Sequence, residues 1–208
     1  MHPQNTRLFA LLGAAFAWSA VIFQLVLNLQ QVHTSIPETL IRFFSYFTIQ
    51  NNLLVACCFS SQGFKGLKNS FFARGEVWGA VVVYIIVVAG IYHLILSDLG
   101  HFKGWAFWVD QGLHSLNPLC FILFWYFLMP KSSIHWRHLG TWLLYPLTYC
   151  GFILLRGAYS GFYPYPFIHV DRLGWAQTAL HIVGIFLLFV LLSVVIIAVA
   201  RAKKDTSL

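Results

Sequence analysis

Charged residues are scarce in this chain. Of its 208 residues only 9% are Asp, Glu, Lys or Arg, while 59% are hydrophobic and 18% are aromatic. About a quarter of the residues of a soluble domain are charged, so this composition argues against a soluble protein and indicates an integral membrane protein. The aromatic excess agrees with this, because Trp and Tyr collect at membrane interfaces.

Cysteine is also scarce, and its spacing does not match a metal-binding ribbon. The four cysteines, Cys57, Cys58, Cys120 and Cys150, lie in apolar stretches, and the chain has no CxxC pair. We interpret them as small buried hydrophobic residues. The net charge of +7 does not indicate nucleic acid, because basic residues at the ends of membrane spans set their orientation. Membrane lipids are the expected partners, and the sequence indicates no cofactor.

Six apolar stretches are long enough to cross a bilayer, which takes about 20 residues. They lie near residues 8–29, 40–60, 77–97, 111–129, 139–157 and 174–200. No linker, run of charge or internal repeat divides the chain, so we predict a single all-α domain of six membrane spans over residues 1–208. The first stretch continues well past its small residues, and we interpret it as a retained span rather than a cleaved signal peptide.

The basic residues predict the orientation of these spans. If all six stretches cross, nine of the thirteen basic residues fall on one side, namely Arg7, Lys65, Lys68, Arg74, Lys131, Arg137, Arg201, Lys203 and Lys204. The other side has Arg42, Lys103, Arg156 and Arg172, together with four of the six acids. The side richer in basic residues is cytoplasmic, so both termini are predicted to be cytoplasmic.

The polar residues within the spans fall at one predicted depth. Because alternate spans run in opposite directions, these residues all lie in the outer half of the bundle, while the inner halves are almost entirely Leu, Val, Ile and Phe. The polar residues are Thr48, Asn51, Asn52, His93, His114, Asn117, Arg156, Thr178 and His181. Ionisable groups are costly in lipid and usually serve a function there, so a polar site is predicted at this level.

Thr48 and His114 are the residues that suggest catalysis. A threonine hydroxyl attacks an acyl carbon when a base takes its proton, and a histidine at the same depth is suited to that role. Pro118 lacks an N–H group, which predicts a bend and a free carbonyl beside His114. The alternative is structural: Thr48 bonds to its own preceding helical turn, and His114 bonds to a neighbouring helix.

Three amides at the same depth have two interpretations. Asn51, Asn52 and Asn117 carry N–H donors that could stabilise an oxyanion. They could equally form hydrogen bonds between helices. The spacing of Asn51 and Asn52 within one helix favours the second role.

Three histidines suggest a different chemistry. His93, His114 and His181 could bind zinc and leave the fourth position for water. No two of them have the i, i+4 spacing of a local metal motif, and no carboxylate lies well inside the spans to act as a base. Zinc hydrolysis is therefore the weaker alternative.

The longest predicted outer connection follows Arg156 and contains Tyr163-Pro-Tyr-Pro166. Its prolines are unsuited to a helix, and its aromatic content is unsuited to a solvated linker. We interpret it as an aromatic belt at the level of the headgroups, with a lid over the polar pocket as the alternative. Arg156 has Asp171 or a lipid headgroup as its expected partner.

Several of these segments together resemble a known family. FSYFTIQNNLL at residues 44–54, His114 followed by Asn117-Pro118, and Arg156-Gly157 followed by GFYPYP at residues 161–166 are similar to a family of bacterial membrane proteins predicted to have six spans. That family more distantly resembles the androgen-induced and androgen-dependent membrane proteins of animals. The resemblance covers all six stretches and implies a six-helix bundle in the bacterial cytoplasmic membrane.

The resemblance also implies an activity. The animal proteins are hydrolases that cleave esters of hydroxy fatty acids and depend on one Thr in the second span and one His in the fourth. By position these correspond to Thr48 and His114. The leading hypothesis is therefore a lipid-ester hydrolase with Thr48 as nucleophile and His114 as general base, open to the outer leaflet. A non-enzymatic protein that binds lipid or transports a small solute is the alternative.

Overall fold

The chain folds into a bundle of helices. The structure is a computed structural model that describes residues 3–31, 34–100 and 102–205, and within these ranges it has α-helices, short 3-10 and π-helical turns, and no strand. The helices are α1 (Pro3–Gln30), α2 (Ile36–Ser45), α3 (Phe47–Gly63), α4 (Gly75–Ile91), α5 (Trp105–Gln111), α6 (Asn117–Leu128), α7 (His138–Ser160) and α8 (Val170–Asp205). The predicted all-α class is confirmed.

Four helical segments are long and apolar enough to cross a membrane. They are Gln4–Gln30, Gly75–Leu96, His138–Ser160 and Val170–Lys203, and they overlap the first, third, fifth and sixth predicted spans. The second and fourth predicted stretches also lie in helices, but Tyr46 interrupts one of them and a π-helical turn interrupts the other. Four such helices agree with a membrane protein, and the six-span topology stays a prediction.

A single extended residue separates α2 from α3. Tyr46 has φ −77° and ψ 127°, so α2 ends before it and α3 begins after it. The first N–H groups of a helix have no acceptor within that helix. Thr48, the second residue of α3, therefore has a backbone donor available to groups outside the helix.

Two π-helical turns interrupt the neighbouring helices. One spans Tyr92–Leu96 at the end of α4, and the other spans Gly112–Leu116 between α5 and α6. The second lies directly before Pro118, where the missing N–H predicts an irregularity. Such turns frequently occur at functional sites, and these two contain His93 and His114.

The predicted inner half of the bundle has an aromatic core. Phe59, Trp78, Phe121 and Phe124 pack together, and the rings of Trp78 and Phe121 stack with centroids 4.6 Å apart. Helix α1 approaches α3 closely here because Gly13 faces Phe59, and a Cβ at that glycine would lie 2.8 Å from the phenyl ring. Close contact through small residues is typical of membrane bundles. The packing at this end of the bundle therefore fixes the positions of the helices whose polar residues are predicted to share one depth.

The connection between α7 and α8 folds back over the bundle. α7 ends at Gly161, whose φ of 68° is the left-handed conformation that favours glycine at a helix end. Tyr163 then packs its ring against Gly157, leaving no room there for a Cβ. The chain continues inward from Tyr163, and this path brings Tyr165 to the start of α3.

Candidate functional site

Thr48 and His114 line one cavity of about 450 Å³. Helices α1, α2, α3 and α5, together with the two π-helical turns, provide most of its wall, and Pro164, Tyr165 and Pro166 of the outer connection lie against it. Its polar lining residues are Gln24, Asn28, Gln31, Tyr46, Thr48, Tyr92, Asp110, His114 and Tyr165. The structure thus places the two residues expected to carry the chemistry at the same cavity.

Thr48 is held by Tyr165 of the outer connection. The backbone N–H of Thr48 donates to the Tyr165 hydroxyl over 3.2 Å, and the Thr48 hydroxyl lies 3.4 Å from the same oxygen. The Thr48 side chain is therefore directed outside its own helix. Thr48 and His114, both within the described ranges, make no hydrogen bond to each other.

A second, smaller cavity also meets Thr48. It has a volume of about 210 Å³ and lies among α4, α7 and α8, with Thr48, Tyr165 and Leu96 in its wall as well as in that of the larger cavity. The rest of its lining is almost entirely apolar, namely Phe47, Val87, Val88, Ile91, Pro146, Leu147, Tyr149, Cys150, Leu154, Phe167, Ile168, Ile182, Val183, Ile185, Phe186 and Phe189. Thr48 therefore lies between a partly polar cavity, here called the polar cavity, and one that is almost entirely apolar.

His114 belongs to a cluster that contains a carboxylate. Its Nδ1 lies 3.1 Å from Oδ1 of Asp110 and 3.0 Å from the Asp110 carbonyl oxygen. Tyr92 donates its hydroxyl to the other carboxylate oxygen of Asp110, and its ring stacks on the imidazole with centroids 4.0 Å apart. Sequence reasoning missed Asp110 and Tyr92, because Asp110 was counted among the acids outside the spans. The i, i+4 spacing of Asp110 and His114 was a signal that could have found the carboxylate.

None of the three asparagines faces the cavity, and two of them, Asn52 and Asn117, connect helices. Asn52 donates to the carbonyls of Thr48 and Leu113 at 2.9 and 3.1 Å, and it accepts a hydrogen bond from Asn117 at 2.9 Å. Asn51 donates to a carbonyl of its own helix at 2.7 Å. All three amides are fully buried, and none of these described side chains lines the cavity of Thr48 and His114. The geometry favours interhelical bonding over a role as oxyanion donors.

His93 and His181 have partners of their own. Nε2 of His93 lies 3.0 Å from the hydroxyl of Ser115, and Nδ1 of His181 lies 2.8 Å from the carbonyl oxygen of Phe167. Among the described residues no three His, Cys, Asp or Glu side chains form a group that could hold a metal ion. The arrangement that the zinc hypothesis requires of His93, His114 and His181 is therefore absent from this part of the chain.

Arg156 is paired with Glu38, and not with Asp171, which was one of the two partners that the sequence left open. Its Nη2 donates to Glu38 over 3.0 Å, and Arg42 donates to the same carboxylate oxygen over 2.7 Å. Both guanidinium groups also lie over the ring of Phe162, at 4.7 Å for Arg42 and 5.2 Å for Arg156. The hydrogen bond from Arg42 lowers the pKa of the Glu38 carboxyl. This cluster ties α2, α7 and the outer connection together beside the site.

Comparison of the chain with family models, with curated proteins and with solved structures found no match. The geometry of the two cavities and of the residues between them is therefore the basis for assigning a function.

Proposed function

We propose that this protein is a membrane-embedded hydrolase that cleaves fatty-acid esters through Thr48. The observation that carries the proposal is the position of Thr48, whose side chain borders both the polar cavity with His114 and the apolar cavity among α4, α7 and α8. An ester has one polar centre and one long apolar chain. A nucleophile between a polar space and an apolar space suits such a substrate.

The proposed reaction passes through an acyl-enzyme. The Thr48 oxygen forms a bond to the ester carbonyl carbon, its proton passes to Nε2 of His114, and the carbonyl electron pair moves to oxygen. The bond from that carbon to the alcohol oxygen then breaks, and the departing alcohol takes the proton from His114. Water adds to the acyl group in the same way, giving its proton to His114. The carboxylic acid leaves as Thr48 regains a proton.

The oxyanion has donors at the start of α3. The N–H of Thr48 has no acceptor within its helix and donates to Tyr165, and the phenol of Tyr165 is a second donor beside the Thr48 hydroxyl. Donors held in place before the reaction contribute strongly where negative charge develops. When the ester binds, its carbonyl oxygen replaces the phenol as the acceptor of the Thr48 N–H, and the displaced phenol donates to that carbonyl oxygen. The Thr48 hydroxyl is then released from Tyr165 and turns towards His114.

The apolar cavity is the proposed site of the acyl chain. Apolar surface transferred from water to such a lining is favourable by about 25 cal/mol per Å², so a fatty chain binds there without specific polar contacts. The resemblance of residues 44–54, 114–118 and 156–166 to membrane proteins related to hydroxy fatty acid ester hydrolases supports this substrate class. We place the site in the outer leaflet of a six-span bundle with cytoplasmic termini, in the bacterial cytoplasmic membrane. Reporter fusions at both termini test that topology.

The test of the reaction is labelling of the purified protein with a fluorophosphonate probe, which reacts with activated hydroxyl groups. Wild-type protein is expected to be labelled. Thr48→Val keeps the shape of the side chain, removes the nucleophile and abolishes labelling. His114→Gln is expected to slow labelling by about 10²–10⁴-fold, the usual contribution of a general base.

Thr178 supplies the matched control. It is fully buried, and its hydroxyl donates to a carbonyl of its own helix, so Thr178→Val removes a hydroxyl at a similar predicted depth without touching the cavity. This variant is expected to be labelled like wild type. A folded wild-type protein that is not labelled overturns the proposed reaction, and retention of bound lipid by that protein would then favour the non-enzymatic alternative.

A further inference from the structure

The buried carboxylate of Asp110 lies where the two π-helical turns meet. Asp110 is the penultimate residue of α5, two residues before the turn Gly112–Leu116, and it is 6% exposed. One carboxylate oxygen lies 3.1 Å from Nδ1 of His114, and the other accepts the hydroxyl of Tyr92 from the second turn. A buried charge is costly unless it is paired and hydrogen-bonded, and here both oxygens have a partner.

These contacts decide which nitrogen of His114 carries hydrogen. Nδ1 lies within hydrogen-bonding distance of two oxygens of Asp110, the carbonyl at 3.0 Å and Oδ1 at 3.1 Å. Neither a carbonyl nor a carboxylate oxygen has a hydrogen to donate, so Nδ1 is the donor. In the neutral ring the lone pair is therefore on Nε2, the nitrogen that the proposed reaction needs as a base.

Tyr92 fixes the plane of the imidazole. Its ring stacks on that of His114 with centroids 4.0 Å apart and an interplanar angle of 11°. Because the hydroxyl of the same tyrosine binds Asp110, each of the three side chains, Tyr92, Asp110 and His114, contacts the other two. The imidazole is thus restrained in orientation as well as in tautomer.

We propose that Asp110, with Tyr92, is the positioning residue of this site: it holds His114 with its lone pair on Nε2 and stabilises the imidazolium that forms when His114 takes the proton of Thr48. This inference rests on the proposed hydrolase function. A carboxylate that orients a histidine base in this way acts through the base and does not itself touch the substrate.

The experiment compares hydrolysis of a p-nitrophenyl fatty-acid ester by wild type and by Asp110→Asn, using the whole chain in detergent micelles. The asparagine side chain keeps the shape of the aspartate and removes its charge. We expect kcat to fall by about 10²–10⁴-fold with KM within about threefold, because both carboxylate oxygens of Asp110 are already paired with His114 and Tyr92. Asp171→Asn, which changes an exposed acid outside the cluster, is the control and is expected to match wild type.

A double-mutant comparison separates positioning from a structural role. In a His114→Gln background, Asp110→Asn is expected to cause no further loss of kcat, because residues that act as one unit are not additive. A further loss as large as in the wild-type background overturns the inference, since it would show that Asp110 acts independently of His114. Unchanged kcat in the single variant overturns it as well.

Tyr92→Phe keeps the inference testable if Asp110→Asn does not fold. It retains the ring stack and removes only the hydroxyl that binds Asp110. We expect kcat to fall by roughly tenfold, the equivalent of about one hydrogen bond, and to be unaffected in the His114→Gln background. Failure of wild type to hydrolyse the ester or to be labelled counts against the hydrolase proposal, whereas an active wild type with an equally active Asp110→Asn counts against the positioning role alone.

Discussion

Replacing Asn52 by alanine is expected to weaken the bundle more than the same change at Asn51. Both side chains are fully buried, so the two substitutions remove the same atoms and leave comparable spaces. Each donates to a carbonyl four residues earlier in its own helix, but Asn52 also donates to Leu113 and accepts from Asn117. An interhelical hydrogen bond in a membrane bundle contributes about 0.6 kcal/mol on average and up to about 1.7 kcal/mol. Two such bonds make the expected difference about 1–3 kcal/mol.

The free energy of unfolding of both variants can be measured by titrating the protein from mild detergent into SDS and following tryptophan fluorescence, since the chain has eight tryptophans. Asn52→Ala is expected to unfold at the lower SDS fraction. Equal or greater destabilisation by Asn51→Ala would refute the interhelical role. Ester hydrolysis supplies an independent check: a loss of about 10²–10³-fold in kcat in a folded Asn52→Ala protein would restore the oxyanion role that the sequence suggested.

Three further predictions concern the outer connection, the ion cluster and the inner core. Tyr165→Phe keeps the ring and removes the hydroxyl that the first turn of α3 contacts, so kcat for an ester is expected to fall by about 10²-fold. An unchanged kcat would contradict the role of the Tyr165 hydroxyl as a donor to the oxyanion. The hydrogen bond from Arg42 lowers the pKa of Glu38. Ionised Glu38 therefore stabilises the folded protein above the ordinary carboxyl pKa of about 4.5. This stabilisation is lost as the pH falls through the lower pKa that Glu38 has in the folded state. The midpoint temperature of unfolding should therefore change less with pH across the acid range for Glu38→Gln than for wild type. The same pH dependence in both proteins would contradict the pairing. Gly13→Ala brings a Cβ within 2.8 Å of a buried phenyl ring and is expected to lower the free energy of unfolding by about 1–3 kcal/mol. Gly90→Ala, with open space around it, is expected to stabilise α4 slightly. Equal midpoints of the two variants in SDS unfolding would contradict the close packing.

The two candidate catalytic residues were predictable from the positions of polar residues along the apolar stretches. An imidazole such as that of His114 is costly in lipid, so its occurrence at the predicted depth of Thr48 indicates a shared polar space, and both residues line one cavity. The individual partners were less predictable. Asn51 and Asn52 are adjacent and identical in type, yet only Asn52 reaches another helix. That difference depends on helix rotation, which periodicity does not specify.

That Asp110 and Tyr165 belong to the candidate site was not predicted from the sequence, for a similar reason. Both were assigned to connections outside the spans, where a carboxylate or a phenol is ordinary. The extended residue Tyr46 and the return of the chain after Gly161 bring Tyr165 to the first turn of α3. The π-helical turn after Asp110 and the stacking of Tyr92 bring the carboxylate to His114. The contact of Tyr92 with Asp110 and that of Thr48 with Tyr165 join residues 18 and 117 positions apart, so they depend on packing, whereas the i, i+4 contact of Asp110 with His114 is local.

The sequence by itself determined the all-helical class and the apolar helices, because a chain with 9% charged and 59% hydrophobic residues has to satisfy its backbone hydrogen bonds within helices if it is to lie in a membrane. It also predicted a common depth for hydroxyl, amide and imidazole groups along those stretches. Only the tertiary structure decided which of them face a cavity, which bond helix to helix, and that Thr48 separates a polar space from an apolar one. The physical reason is that composition and periodicity act residue by residue, whereas a site depends on how helices are rotated, interrupted and packed against one another.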